Sequence, residues 1–427
     1  MNRKEAEDFI YKSYLKAEKY QDYHVKDSKK RRNDLTLDLI RKNSETPCVV
    51  VTGSKGKGSV ANMISQILQK KYTVGLMTSP HIVDFCERFR VNGGKISDHD
   101  FVKYMSQIQP EIEAIDSVIP KNVCISPMGI QTYLALNYFK SMGTQFNVFE
   151  CGKGAKFDDV NNVKHEYAAI NSIFLEHTRE LGDTIEEIAA DKAYVITGEQ
   201  KFVYVAEQIP SVLKVIQDRA ENLGVGIKIY GQDFWAENIQ YTKEGMSFDV
   251  VIGKERYEDI LVPLLGEHQA KNCALALALC KDVLENGEFV GEEMLLKLNY
   301  PGRMEVISKQ PFILLDACIN AASCENVLKV LNHLDIKEAT VVVGIPDDKD
   351  YMGVVRAMKK VASDIFLTKS GNPHYVFTKR QQERLEEEGI FARWTESVSE
   401  AIELAKNKEK PIVILGTTSV IAEVKKM

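Results

Sequence analysis

The chain has 427 residues, 44% of them apolar and 27% charged, which fits two or three soluble domains that each bury a core. A net charge of −6 and a pI near 5.9 supply no domain-wide basic field, which argues against nucleic acid as a main partner. No segment has the unbroken apolar length of a membrane span, and Met1-Asn2-Arg3-Lys4-Glu5 lacks the apolar core of a signal peptide, so a cytoplasmic protein is expected.

Residues 1 to 45 read as amphipathic helices, with Phe9, Ile10, Tyr14 and Leu15 as one stripe and Leu35, Leu39 and Ile40 as a second. The run Lys29-Lys30-Arg31-Arg32 reads as a solvated surface patch. Val49-Val50-Val51 follows as a short buried strand, and Val60 to Lys70 as a helix. Between them stand Thr52-Gly53-Ser54-Lys55-Gly56-Lys57-Gly58-Ser59. Gly53, Gly56 and Gly58 let the backbone turn tightly and approach an anion, and the following helix N-terminus points its amides at phosphate oxygens. Lys57 supplies a positive charge for terminal phosphates, and the Ser59 hydroxyl is placed to ligate Mg²⁺. The stretch reads as a phosphate loop, with Gly58 inserted before the hydroxyl residue.

Thr73 to Met77 reads as a second buried strand, and Ser97 as the N-cap of the next helix. A helix is expected at 129–142, strands at Phe146 to Cys151 and Tyr167 to Phe174, and a capping box at Thr184-Ile185-Glu186-Glu187 for the helix carrying Lys192. Strands alternating with helices imply a mostly parallel sheet covered on both faces. Between about 226 and 265, short strands (Ile227 to Tyr230, Met246 to Ile252, Arg256 to Leu261) read as an antiparallel insertion or edge. Gly266 to Leu284 is an Ala/Leu-rich helix, and Tyr300-Pro301-Gly302 is the candidate linker. Beyond it, strands at Ile313 to Asp316, Thr340 to Gly344, Asp364 to Thr368 and Pro411 to Gly416 alternate with helices as a smaller doubly wound domain. Two domains are therefore drawn, residues 1–297 and 298–427. The eight scattered cysteines read as small core residues.

In an α/β sheet, loops leaving the carboxyl ends of neighbouring strands converge on one crevice. Here such loops carry Ser59, Ser79, Glu150 and His177, and a hydroxyl with a carboxylate suits Mg²⁺. A lone His after a strand is otherwise a surface or capping residue, whereas a carboxylate closing an apolar strand needs compensation. Lys192, on a face with Ile188, Ala189, Val195 and Ile196, reads either as a snorkelling lysine or as one that reacts with carbon dioxide to give a carbamate, an oxygen donor for metal.

Taken in order, these motifs resemble the Mur ligase superfamily, in particular its folylpolyglutamate synthase branch. Thr52 to Ser59 is similar to that branch's phosphate loop. Ser79-Pro80-His81 with Glu87-Arg88-Phe89-Arg90-Val91-Asn92-Gly93 resembles Ser-Pro-His…Glu-Arg-Ile-x-Ile-Asn-Gly. Glu150 to Asp158 with Asn161 resembles Glu-Val-Gly-x-Gly-Gly-x-x-Asp…Asn, and Glu176-His177…Lys192 resembles Asp-His…Lys. Gly266, His268, Gln269, Asn272, Pro301-Gly302-Arg303, Asp316, Asn320, Asp348-Lys349-Asp350 and Gly416-Thr417 continue it across nearly the whole chain.

The resemblance implies an N-terminal P-loop ATPase-like domain with a parallel sheet and a smaller Rossmann-like C-terminal domain. It implies ATP held by Gly53, Ser54, Lys55, Gly56, Lys57, Gly58 and Ser59, with Asn272, Arg303 and Asp316 on the nucleotide. One Mg²⁺ would be served by Ser59, Ser79 and Glu150, a second by Glu150, His177 and carbamylated Lys192. The expected reaction is ADP-forming amide synthesis from a small-molecule carboxylic acid and an amino acid or amine, through an acyl phosphate, by a monomer. Four departures bear on the substrate and the loops. The branch's Asp-x-x-His-Asn is Asp316-Ala317-Cys318-Ile319-Asn320 here, its Thr-x-Phe-Glu is Ser126-Pro127-Met128-Gly129, Lys55 replaces an Asn, and Lys153 and Ala155 alter the loop after Glu150. A buried carboxylate able to hold a pterin ring is thus expected to be missing at Gly129. Folate, another acid, or ATP binding without catalysis remain as readings.

Overall fold

Val49, Val50 and Val51 lie in β1 (Cys48–Thr52), every residue of which is buried, as suits a β-branched strand covered on both faces. The computed structural model describes residues 1–20, 26–27, 31–242, 245–284, 301–373 and 375–427. Around β1 are β2 (Val74–Met77), β3 (Phe89–Val91), β4 (Gly94–Lys95), β5 (Phe146–Glu150), β6 (Tyr167–Ile170), β7 (Phe202–Val205) and β8 (Gly226–Ile229). They form one eight-stranded sheet in the order β4-β3-β2-β5-β1-β6-β7-β8. All pairs from β2 to β8 are parallel, and the β3–β4 hairpin is an antiparallel edge.

Registers Met77↔Phe149, Val51↔Glu150 and Thr52↔Ile170 bring the carboxyl ends of β2, β5, β1 and β6 level. That alignment builds the crevice. The helix Lys57–Leu68 leaves β1 and packs in the same apolar cluster as Glu267–Val283, a helix buried nearly all round.

Two strand expectations change. Ile227 to Tyr230 is no part of an antiparallel insertion. It corresponds to β8, parallel to β7 through the crossover helix Pro210–Leu223, and without that crossover its neighbours read as hairpins. The antiparallel unit instead comprises β9 (Phe234–Tyr241), β10 (Met246–Ile252) and β11 (Glu255–Val262). The strand expected to reach Phe174 stops at Ile170, because the Asn171 and Ser172 backbone groups turn onto the glycine-rich loop after β1, bonding Thr52 and Ser54. In the first helix, Leu15 is 52% exposed, and the buried face is Ala6, Phe9, Ile10, Ser13 and Ala17.

The second sheet contains β12 (Glu305–Lys309), β13 (Phe312–Asp316), β14 (Ala339–Gly344), β15 (Ala362–Leu367), β16 (Arg393–Trp394) and β17 (Ile412–Gly416), ordered β12-β13-β17-β14-β15-β16. It is parallel except for the β12 edge. The division at 297/298, like Lys29, Lys30 and Tyr300, lies outside the described residues. All eight cysteines are buried, and among the described residues no helix is long and apolar enough to cross a membrane.

Candidate active site

Gly53 (φ +137°) and Gly56 (φ +76°) adopt backbone conformations that favour glycine. A side chain at Gly56 would also strike Asn171 Nδ2 at 2.3 Å and Asn272 Oδ1 at 3.0 Å. Those two amides bond each other at 2.9 Å, and Asn272 donates to Gln269 Oε1 at 3.2 Å, so β6 and the helix Glu267–Val283 jointly brace the loop.

Two lysines converge on one oxygen. Lys57 Nζ and Lys192 Nζ each donate to the Gly53 carbonyl at 3.0 Å. Lys192 is fully buried, which overturns the snorkelling reading. Its ammonium also donates to the Lys153 carbonyl at 2.6 Å and pairs with Glu176 Oε1 at 3.1 Å. Burial, then the charge of Lys57, pushes the Lys192 pKa down.

Glu150 closes β5, is 4% exposed, and accepts the Ser79 backbone N–H at 2.9 Å. Burial raises its carboxyl pKa, with Lys57 the strongest opposing charge. Glu150 has no ion pair among the described residues. A buried carboxylate of that kind, beside Ser79 and at the end of the strand that pairs with β1, ahead of the helix whose first turn bears Ser59, fits a hard cation. His177, held at φ +47°, is partly exposed, and its Nε2 lies 3.9 Å from Glu176 Oε2. The structure therefore brings His177 and Lys192 together through Glu176, a residue that the spacing did not single out.

The second domain meets this crevice from above. Lys55 Nζ donates to the Ser323 hydroxyl across the domains. Asp316, at the end of β13, accepts the Met304 N–H at 2.8 Å, and burial pushes its carboxyl up to about 6 against the opposing charges of Arg303 and Lys55. Ile319 packs against the apolar core.

A carboxylate does stand beside Gly129, but from another residue. A Cβ at Gly129 would lie 2.4 Å from Asp159 Oδ1. Asp159 is 1% exposed and accepts from Thr36 Oγ1 at 2.5 Å and from the Ser126 hydroxyl. Only the absent side chain at 129 leaves room for it. Burial pushes the Asp159 carboxyl from 3.8 up to about 6, so the folded state binds the proton more tightly than the unfolded one. Its contribution to stability is full below pH 4 and falls through pH 6, by roughly 3 kcal/mol. Asp159→Asn removes that loss, so its melting temperature relative to the parent is expected to rise between pH 4.5 and pH 7. A pH-independent difference would contradict the assignment.

Two family models match the chain. Residues 51–280 match the Mur ligase middle domain and residues 302–418 the Mur ligase, glutamate ligase domain. The dihydrofolate synthase/folylpolyglutamate synthase of Bacillus subtilis is 29% identical, with 95% of each chain covered. The folylpolyglutamate synthase of Lacticaseibacillus casei is 27% identical, with 86% of each covered. The ADP complex of Mycobacterium tuberculosis folylpolyglutamate synthase superimposes with a TM-score of 0.86 at 23% identity, covering 100% of this chain and 98% of that one. A solved folylpolyglutamate synthase–AMPPCP–folate complex gives 0.80 at 25% identity, covering 100% and 99%. Both domain families occur in order on the sheets that carry the two halves of the crevice. The chain belongs to the Mur ligase superfamily, in its folylpolyglutamate synthase branch, and is an ATP-dependent ligase that forms carbon–nitrogen bonds.

Proposed function

We propose that this ligase binds Mg·ATP and joins L-glutamate to the carboxylate of a folate-type acid, releasing ADP and phosphate. The observation that carries the reading is the convergence of Lys57 and Lys192 on the Gly53 carbonyl, beside Glu150 and Ser79 and beneath the second domain. The acid's carboxylate oxygen attacks the γ-phosphorus and the bond to ADP breaks. The glutamate nitrogen then attacks the acyl carbon, phosphate leaves, and the amine gives up a proton. Lys57 and the loop amides hold the phosphates and neutralise charge that grows on them. Asn272, Arg303 and Asp316 hold the nucleotide between the domains, where water is kept from the acyl phosphate. Ser59, Ser79 and Glu150 would hold one Mg²⁺, and Glu150, His177 and carbamylated Lys192 a second. Bound there, the metal supplies charge stabilisation on phosphoryl oxygens.

Gly129 against Asp159 supports a second reading, in which the same machinery serves an acid with a different head group. Phosphate release with Mg·ATP, across a panel of acids crossed with amino acids, separates the two. Turnover that requires dihydropteroate or a reduced folate plus L-glutamate is the expected result. Turnover only with another pair makes this a specialised amide ligase. No turnover with any pair, while ATP still binds, would favour a non-catalytic protein, against which the retained Lys57, Glu150, His177 and Lys192 weigh.

A further inference from the structure

The two lysines of the glycine-rich loop take different partners. Lys57 folds back onto the Gly53 and Ser54 carbonyls, whereas Lys55 leaves the loop and donates to the Ser323 hydroxyl in the second domain. The Lys55 ammonium lies 5.7 Å from the centre of the Phe174 ring. Phe174 is itself tied to the loop: its N–H donates to Ser54 Oγ at 3.1 Å, and Ser54 Oγ donates to its carbonyl at 3.3 Å. This exposed aromatic is thus a platform for the ammonium. Lys55 has no ion pair among the described residues, so no carboxylate competes with Ser323 for it.

Ser323 stands in the first turn of the helix Ala321–His333, and its N–H is capped by Asn320 Oδ1 at 2.8 Å. Asp350 fixes the same turn, accepting the Ala321 and Gly353 N–H groups at 2.9 Å each. Just upstream, the Ala317 N–H donates to the Gly302 carbonyl at 2.9 Å, and Asp316 accepts the Met304 N–H. Arg303, Asp316 and Ser323 are therefore joined as one piece. The other hydrogen bonds of residues 317–324 stay inside the second domain, and among the described residues the Lys55 bond is the one that reaches the first.

The far end of this helix meets the first domain again. His333, its last residue, stacks on Tyr241 of β9, with ring centres 4.0 Å apart and planes at 20°. The 13 residues of the helix span roughly 20 Å, so it lies across the domain boundary with a contact at each end. Two departures from the branch meet at the first of these ends: Lys55 stands where the branch has Asn, and Ile319 where it has His. Ile319 and Ala317 pack against apolar clusters and offer no polar side chain, which leaves the contact to Ser323.

We propose that Lys55 is a positioning residue for ligation: it pins the first turn of the helix Ala321–His333 to the glycine-rich loop, with the Tyr241–His333 stack as the pivot, and so sets Asp316 and Arg303 over the nucleotide. The proposal rests on the ligase reading for what Asp316 and Arg303 hold. A helix dipole is positive at its N-terminal end and opposes a cation there, so the bond adds little to the stability of the fold. What it supplies is position.

The test compares Lys55→Met, Ser323→Ala and the double variant in the full chain. In titration calorimetry with Mg·AMPPCP, each single variant is expected to bind roughly three- to tenfold more weakly than the parent. The double variant should be no weaker than either single, because one bond is lost once. Hydrogen exchange in the nucleotide-free chain should quicken across residues 317–323 equally in all three, with melting temperatures within about a degree or two of the parent. In turnover, KM for ATP should rise by the same factor while kcat stays within roughly twofold. Weaker binding by Lys55→Met with parent-like binding by Ser323→Ala would overturn the proposal and make Lys55 a phosphate contact alone. Additive losses, or none, would overturn it as well. ADP release with acid and glutamate, but no loss in either variant, would sink the pin and leave the ligase reading. Coupled losses in AMPPCP binding and in exchange, without ADP release from any acid–amine pair, would keep the pin and sink the ligase reading.

Discussion

Lys57→Ala is expected to lower the rate of acid-dependent ADP release by roughly a thousandfold or more, the effect of losing one preorganised cation in a water-poor site. The lysine follows Gly56, whose left-handed backbone and two amide neighbours fix the turn. Its own side-chain bonds are to the loop carbonyls of Gly53 and Ser54, at 3.0 and 3.5 Å. The Gly53 carbonyl keeps a donor without Lys57, since Lys192 also bonds it, and the Ser54 contact is a long one. The variant should therefore melt within a degree or two of the parent, a small shift for a chain this long. Lys57→Arg keeps the charge on a longer, planar group and should recover only part of the rate. Near-parent turnover by Lys57→Ala, measured as ADP release, would mean that phosphates bind elsewhere.

The turn from Gly53 into the helix was legible because its causes are local. A β-branched strand, glycines where φ must be positive, a lysine and a helix all lie within one stretch, and each enforces the same turn. Glu150 was legible for a related reason: a carboxylate ending a fully apolar strand must answer for its burial, and the parallel registers carry it to the loop. The second domain's strands were equally plain, since unbroken apolar runs such as Val341–Val343 and Ile412–Leu415 mark strands covered on both faces.

What stayed hidden depends on which loops meet. Glu176 precedes a histidine and looks like any surface acid, until the fold sets it 3.1 Å from a buried lysine. Asn171 ends a strand without apolar signal, and only the approach of the helix Glu267–Val283 gives it Asn272 as a partner. Asp159 was invisible from the Gly129 side, because the missing side chain and the carboxylate that fills its place are 30 residues apart. Lys55 and Ser323 are further still, in different domains. β8 was misassigned for the same kind of reason. Its parallel pairing follows from a crossover helix, and a strand's direction is not written in its own residues.

Lys192→Ala is expected to lower turnover roughly a hundredfold or more, by analogy with losing a buried group that organises charge at a reaction centre. Loss of the ammonium alone would also reduce activity, because Glu176 and the Gly53 and Lys153 carbonyls would each lose a donor. Three measurements separate the causes. A carbamate forms when the amine attacks carbon dioxide and releases a proton, so the parent should lose activity when dissolved carbon dioxide is stripped and regain it with bicarbonate. Acetate or formate should restore part of the activity of Lys192→Ala, where the vacated space admits a carboxylate. They should restore none to Lys192→Met, where the thioether chain fills that space. A carbamate beside Glu176 places two anions together, which a divalent cation can offset, so bicarbonate should tighten Mg²⁺ binding by the parent, read by titration calorimetry. If stripping carbon dioxide changes nothing and carboxylates rescue neither variant, Lys192 serves as an ammonium that positions the phosphate loop through Gly53.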